Sequence, residues 1–249
     1  MLLISPPYAI ILKNKKNLEG SALNSDIVIT SDSTTDLSPE LKERYGIEIC
    51  PLGITLGGKT YIDGVDITPD DIYAHHDKTG ELPKTSATNV GECLDFFRKF
   101  TESGKTVIHF TISSEMSSTY ANACLAAEEL ENVYVINTEN LSTGGGLLVV
   151  AAAQMREDGL SAEEIVEKTK ALVPCVDASF VIDSLEYLYK GGRCSALAMF
   201  GANLLKLKPC IQVKNGKMDV AKKYRGKYDE VLKQYIREKV TDYSDIVLD

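Results

Sequence analysis

Short apolar runs and segments of helical period alternate along the chain from Asp26 onwards. Short continuous apolar runs are typical of strands that are buried on both faces of a parallel sheet. The runs are IVIT (27–30), TVIHFT (106–111) and VYVIN (133–137). Because strands that alternate with helices form right-handed β-α-β crossovers, the pattern predicts an α/β fold with a parallel sheet.

Capping and turn residues mark the ends of the predicted elements. A Ser, Thr or Asn stands before several helical segments, followed directly by a proline or three residues later by a glutamate, and both arrangements favour a helix start. These residues are Ser38, Thr68, Asn89 and Ser161. Gly57-Gly58 and Asn215-Gly216 each separate two strand-like runs and predict hairpins.

The same pattern divides the chain into three parts. Residues 1–25 show no sustained period, and we interpret them as a disordered tail or a start-site artefact. Residues 26–174 are predicted to form an α/β domain, with a hairpin insertion at 47–68. Residues 175–249 predict a second, α+β domain with a strand, an apolar helix (ALAMFGANLLKL) and a hairpin. We expect this domain to be C-terminally incomplete, because its last run, YSDIVLD, reads as a strand without a following helix.

Composition narrows the possible functions. The formal net charge of −9 argues against nucleic-acid binding, because neutralising phosphates requires a basic surface. The six cysteines and three histidines have no metal-binding spacing, and we interpret the cysteines as reduced thiols in a cytoplasmic protein. No run approaches the ~20 apolar residues that cross a bilayer. Residues 206–239 contain 11 Lys and Arg against 4 Asp and Glu, so an acidic or phosphate-carrying partner could dock there.

One stretch, TVIHFTISSEMSSTY (106–120), leads from a strand into four serines and a threonine before a helix that begins near Thr119. Hydroxyls and free helix N–H groups at such a turn are able to hold an anionic head group. The simpler alternative is that Ser117 or Ser118 only caps the helix. A second hydroxyl pair, Thr85-Ser86 in PKTSATN, also precedes a helix. Two such turns in one α/β sheet are expected at its carboxyl edge, together with the loop 31–36.

These residues resemble a known family. The resemblance runs from about Asp26 to Asp249 and is carried by six motifs in order: IVITSDSTTDL, YIDGVDIT, PKTSATN, TISSEMSSTYANA, YLYKGGRCS with GANLLKLKP, and VKNGKMDVAKKYRG. Taken together they are similar to the DegV family, the bacterial fatty-acid-binding subunit of a two-component fatty acid kinase.

The resemblance implies a fold, a function and a set of site residues. The fold is a Rossmann-like α/β domain over residues 26–174 followed by an α+β domain. A long-chain fatty acid would be buried between the two domains, and its carboxylate would be bound by Thr85 and Ser117. Further head-group contacts would come from Ser86, Ser118 and Ser33, while Arg193 and Arg225 would lie near the head group or on the face that docks the kinase. Ser118 stands where the family has a glycine, and the family's C-terminal histidine segment has no match in this chain.

The resulting hypothesis is a lipid-binding protein without intrinsic catalysis, cofactor or metal, whose bound fatty acid is presented to an ATP-dependent kinase for acyl-phosphate formation in phospholipid synthesis. Two alternatives remain open. One is a serine-dependent hydrolase or phosphotransferase that uses Ser117, or Ser33 and Thr34, although no G-x-S-x-G elbow or nucleotide-binding loop is present. The other is a truncated copy that keeps the fold and no longer binds ligand.

Overall fold

A computed structural model of the chain describes residues 2–4, 26–194 and 207–242. The chain divides into two compact units, Lys16–Val173 and Met1–Lys15 with Pro174–Asp249. No helix among the described residues is long and apolar enough to cross a membrane.

The first unit is built on a parallel sheet. Its strands are β2 (Ile27–Asp32), β3 (Glu48–Cys50), β7 (Thr106–Thr111) and β8 (Val133–Asn137), in the order β3-β2-β7-β8. All three strand pairs are parallel, which confirms the predicted fold class. The accompanying helices are α1 (Pro39–Tyr45), α3 (Val90–Thr101), α4 (Thr119–Ala127), α5 (Ser142–Glu157) and α6 (Ala162–Leu172).

The predicted helix starts are present with their hydrogen bonds. The hydroxyl of Ser38 accepts from the backbone N–H of Leu41, and Asn89 and Ser161 each form a complete capping box. The apolar face of α3 packs into a core cluster with residues from β3, β7 and α4, which fixes both helices on one side of the sheet. Its buried members are Cys50, Cys93, Phe96, Phe97, Val107, Ala123 and Ala126.

A smaller antiparallel sheet lies within the same unit. It contains β4 (Gly53–Leu56), β5 (Lys59–Ile62) and β6 (Lys84–Ser86) in the order β5-β4-β6, and α2 (Pro69–Thr79) follows β5 in the chain. The hairpin turn at Gly57-Gly58 is confirmed, and both glycines have positive φ, as such a turn requires. The prediction that the insertion starts at residue 47 is wrong, because β3 pairs with β2 and belongs to the parallel sheet.

Helix α5 lies unusually close to the turn after β2. A Cβ atom placed on Gly146 would lie 2.9 Å from the backbone oxygen of Thr35, and one on Gly145 would lie 3.3 Å from the Thr35 methyl group. The glycines therefore allow a close helix approach, which is one of the roles that glycine fills in helices.

The described part of the second unit is an antiparallel sheet with two helices. Its elements are β1 (Leu2–Ile4), β9 (Val176–Val181), α7 (Glu186–Gly191), β10 (Lys208–Lys214), β11 (Lys217–Tyr224) and α8 (Tyr228–Asp242), and the strand order is β1-β9-β10-β11. The Asn215-Gly216 hairpin is confirmed. Helix α8 packs on the sheet through Tyr235, whose hydroxyl donates to the backbone oxygen of Ser179 at 2.8 Å.

Two sequence predictions for the chain ends differ in their outcome. The prediction of a disordered tail is wrong for residues 2–4, which pair with β9; three apolar residues are too few to show a strand period in the sequence. The rest of that tail, residues 195–206 of the predicted apolar helix region, and the predicted final strand at 243–249 lie outside the described residues.

Candidate functional site

Three connections meet at the carboxyl edge of the parallel sheet. A short 3-10 helix, Ser33–Thr35, follows β2; the loop 112–118, here called the serine loop, follows β7; and residues 138–141 follow β8. Because parallel strands end at the same edge, these three segments are neighbours, and this edge is where α/β sheets bind ligands.

Neighbouring connections hold the first three amides of the serine loop. The N–H of Ile112 donates to Asp32 Oδ2 at 2.7 Å, and the N–H of Ser113 donates to the backbone oxygen of Asn140 at 2.9 Å. The N–H of Ser114 donates to Asn137 Oδ1 at 3.2 Å, and Asn137 returns a bond to the Ser114 hydroxyl at 2.9 Å. The loop is therefore anchored to the ends of both strands that flank β7.

Ser113 organises the rest of the loop. Its buried hydroxyl accepts from the N–H of Glu115 at 3.2 Å, and its backbone oxygen accepts from the N–H groups of Met116 and Ser117 at 3.0 and 3.2 Å. The Ser117 hydroxyl in turn accepts from the N–H of Thr119 at 3.2 Å and lies 2.8 Å from the Thr119 hydroxyl. Ser117 is thus a local cap at the start of α4, as the simpler alternative predicted.

Ser118 leaves donors free at the same point. It occupies the N-cap position of α4 with φ −79° and ψ 0°, makes no side-chain cap bond and is exposed. Its backbone N–H has no hydrogen-bond acceptor within the described part of the chain. The negative φ shows that serine is unstrained at this position, where the resemblance implied a glycine. Ser118 N–H, the Ser118 hydroxyl and the Ser117 hydroxyl therefore form a set of donors at a helix N-terminus, which suits an anion.

The structure places Thr85 and Ser86 differently from the sequence prediction. Both lie in β6, where Thr85 pairs with Ile54, and both are exposed. The prediction of a second helix-opening turn at the edge of the parallel sheet is therefore wrong. The segment is nevertheless tied to α4, because the Asn122 amide donates to the backbone oxygen of Thr88 at 2.8 Å.

The other candidate hydroxyls have structural partners. The Ser33 hydroxyl accepts from the N–H of Leu52 at 3.2 Å and so holds the connection between β3 and β4. The Ser86 hydroxyl donates to the backbone oxygen of Gly53 at 3.4 Å. Both bonds are long, and they tie these hydroxyls to their own sheets.

Arg193 and Arg225 belong to the second unit, and both are exposed. Arg193 donates to the backbone oxygen of Gly191 at 2.7 Å, so its side chain folds back on the end of α7. Arg225 directly follows β11. Near it, Lys222 lies 2.8 Å from both carboxylate oxygens of Glu238 on α8, so part of the basic stretch is neutralised within the unit.

The sequence analysis did not predict a role for two buried titratable groups in this region, Asp32 and His109. Burial raises the pKa of Asp32 above its usual range, and hydrogen bonds from Thr34 and Ile112 oppose that rise. Burial lowers the pKa of His109 to about 3, so its ring is neutral, with Nδ1 2.8 Å from the Thr30 hydroxyl. The signal for Asp32 was present, since it ends a buried strand and precedes three hydroxyl residues.

The described residues contain no cluster of His, Cys, Asp and Glu that could hold a metal ion. The hydroxyl and amide donors of the serine loop suit an anion rather than a cation, so the arrangement fits a negatively charged organic ligand.

The sequence of this chain is similar to a protein family and to individual proteins of that family. A family model described as "Uncharacterised protein, DegV family" matches residues 26–244. A DegV domain-containing protein of Clostridium acetobutylicum is 37% identical over 202 residues, which are 80% of this chain and 72% of that protein.

Two solved structures of fatty-acid-binding proteins are similar to this chain. A stearic-acid-binding protein from Eubacterium ventriosum has a TM-score of 0.75 and 34% identity, with 86% of this chain and 78% of that chain covered. DegV, a fatty acid binding protein from Bacillus subtilis, has a TM-score of 0.78 and 28% identity, with 88% and 79% covered.

Proposed function

This chain belongs to the DegV family, and from that premise we propose that it binds a long-chain fatty acid and presents the carboxylate to a separate ATP-dependent kinase. The carboxylate would attack the γ-phosphate of ATP, which yields an acyl phosphate and ADP, in the cytoplasm and as a step toward phospholipid synthesis. The fatty acids bound by the structural relatives support the first part of this proposal.

The observation that carries the proposal is the donor set at the start of α4. A carboxylate accepts hydrogen bonds only, and Ser118 offers an N–H and a hydroxyl that have no acceptor within the described residues. The Ser117 hydroxyl is able to donate to the ligand while it still accepts from Thr119 N–H, since one hydroxyl has a donor and two acceptor positions. Hydrogen bonds to a charged group are roughly twice as strong as neutral ones.

Thr85 is proposed as the second hydroxyl of the site. Its exposure on β6 leaves it accessible, and the bond between Asn122 and Thr88 holds the following segment against the helix that Ser117 precedes. The acyl chain would be buried among apolar side chains, with a gain of about 0.8 kcal/mol per CH₂ group.

We propose further that the protein itself performs no catalysis. A serine nucleophile requires an adjacent base, and the hydrogen-bond partner of the Ser117 hydroxyl is Thr119. The one described histidine on the strand before the loop, His109, has its Nδ1 on Thr30 instead. This geometry argues against the serine-dependent hydrolase or phosphotransferase.

The test is titration of delipidated protein with a fluorescent fatty acid. We expect Ser117→Ala and Thr85→Val each to weaken binding by about one to two orders of magnitude, because each removes a hydrogen bond to a charged group. The losses should be less than additive, since both hydroxyls serve the same carboxylate. Ser161→Ala, which removes a comparable helix cap on α6, is the control and should leave affinity unchanged. Wild-type affinity in both variants and in the double variant would refute the site.

The partner is tested separately. Replacing Arg193 and Arg225 with Ser should weaken association with the kinase, more strongly at low salt, and leave fatty-acid affinity nearly unchanged if these cations form a docking surface. Lys170→Ser on α6 removes an exposed charge from the first unit and serves as the control. Loss of lipid binding with unchanged kinase association would place these arginines at the head group instead.

A further inference from the structure

One side chain, Asp32, connects two loops that are distant in the sequence. Its Oδ1 accepts from the N–H and the hydroxyl of Thr34 at 3.1 and 2.5 Å, and its Oδ2 accepts from the N–H of Ile112 at 2.7 Å. Both carboxylate oxygens are therefore occupied by donors. The Asp32 side chain joins the turn after β2 to the first residue of the serine loop.

The position of Asp32 excludes direct contact with a ligand carboxylate. The residue is 0% exposed, and donors of its own chain occupy both carboxylate oxygens. Any influence on the ligand must therefore pass through the loop that it holds. A loop whose binding geometry is fixed beforehand loses less conformational entropy when the ligand binds, so its affinity is higher.

We propose that Asp32 is the positioning residue of the serine loop and that it sets the affinity of the Ser117–Ser118 donor set for the head group. This inference rests on the function proposed above. Asn137 has the same role on the opposite side, where it bonds to both the N–H and the hydroxyl of Ser114. Together with the backbone oxygen of Asn140, which accepts from the N–H of Ser113, these two side chains fix three consecutive amides before the loop reaches the binding donors.

The decisive variant is Asp32→Asn. The side-chain NH₂ must face either the N–H of Ile112, where one hydrogen bond is lost, or the N–H and hydroxyl of Thr34, where two are at stake. Facing Ile112 therefore costs less, and it detaches the serine loop from this side chain. The matched control is Glu164→Gln, the same chemical change at a carboxylate that accepts from a backbone N–H, that of Ser161, in the capping box of α6. A purely structural role would lower the stability of both variants and would change neither the loop nor the affinity.

The first measurement needs no ligand. Amide hydrogen exchange in the serine loop should become at least tenfold faster in Asp32→Asn and remain unchanged in Glu164→Gln. Unchanged exchange in Asp32→Asn would overturn the positioning role whether or not the protein binds a fatty acid.

The second measurement is titration with a fluorescent fatty acid. Asp32→Asn should weaken binding about fivefold to tenfold, and the same change in a Ser117→Ala background should cost less than twofold, because Asp32 acts through that loop. Fully additive losses would overturn the assignment. A wild type that binds no fatty acid would refute the proposed function, and the exchange data would still decide whether Asp32 positions the loop.

A milder variant covers the case in which Asp32→Asn does not fold. Asn137→Ala, at a partly exposed residue, removes the Ser114 contacts and the bond that Asn137 Oδ1 accepts from the N–H of Glu139, and it leaves Asp32 intact. It should accelerate exchange in the same loop and weaken fatty-acid binding about threefold. Wild-type values for both would overturn the role of these two side chains in positioning.

Discussion

The serine loop and strand β6 are similar in sequence and differ in structure. Each carries hydroxyl residues shortly before a helix, yet the loop is held by the flanking strand ends, whereas Thr85 and Ser86 lie exposed on a three-residue strand. The comparison indicates that hydroxyl content alone does not specify a rigid site. The serine loop is held by two flanking strand ends of the parallel sheet, whereas β6 is held along the edge of β4, and this difference depends on tertiary structure.

Lowering the pH should change the stability of the serine-loop region and of the β6 region differently, and we expect this effect to be the largest of the three. The pKa of His109, on the strand that leads to the serine loop, is lowered to about 3 by burial, whereas an unfolded histidine titrates near 6.5. Below pH ~6.5 the unfolded state therefore binds one more proton than the native state, and stability falls by roughly 1.4 kcal/mol per pH unit until the pH approaches 3.

Urea unfolding at several pH values measures this slope. The His109→Gln variant should lose that part of the slope. His75→Gln, on α2 next to the turn of the small sheet, replaces a partly exposed ring and should keep it. Equal slopes in the wild type and His109→Gln would show that the buried histidine does not limit acid stability.

The close packing of α5 against the turn after β2 offers a second comparison, between a crowded helix position and an open one. Gly146→Ala should lower the free energy of unfolding by about 1–3 kcal/mol, because its Cβ would meet the backbone oxygen of Thr35 at 2.9 Å and the helix must move. Gly191→Ala, at a helical position with open space, should be neutral or stabilising by up to about 1 kcal/mol. The midpoints of denaturant unfolding measure both changes. An unchanged midpoint for Gly146→Ala would mean that α5 adjusts its position without loss of stability.

The smallest effect is expected from a pair of identical substitutions, one in each region. Ser113→Ala should cost about 1 kcal/mol of stability, since it leaves the N–H of Glu115 without its buried acceptor. Ser86→Ala should change stability by less than about 0.5 kcal/mol, because its 3.4 Å bond is exposed. Thermal melts of both variants test the difference. Equal losses would show that the two segments are held equally well.

Much of the fold could be predicted from sequence because its signals are local. Helix caps such as Ser38 and Asn89 need only residues within one turn, and the buried strands carry continuous apolar runs. The parallel pairing of the strands follows from their alternation with helices. Ser117 was predicted as a candidate binding residue for the same reason, because it stands between an apolar strand and a helix start.

The missed features depend on contacts between distant residues. Strand β6 is KTS, with neither an apolar run nor an alternating pattern, and it forms only because β4, some 30 residues earlier, offers a free edge. The role of Asp32 depends on a bond to Ile112, 80 residues away. Helix α8 was missed because its polar surface was interpreted only as a basic stretch.

The pairing of β2 has a consequence for folding during synthesis. Its central partner β7 aligns Thr106 with Ile27, so the ribosome must add about 80 residues before the two strands meet. At 5–20 residues per second this takes roughly 4–16 s, during which β2 has only the three-residue β3 to pair with. The apolar run of β2 is therefore exposed throughout this interval, and this is when a chaperone would be needed.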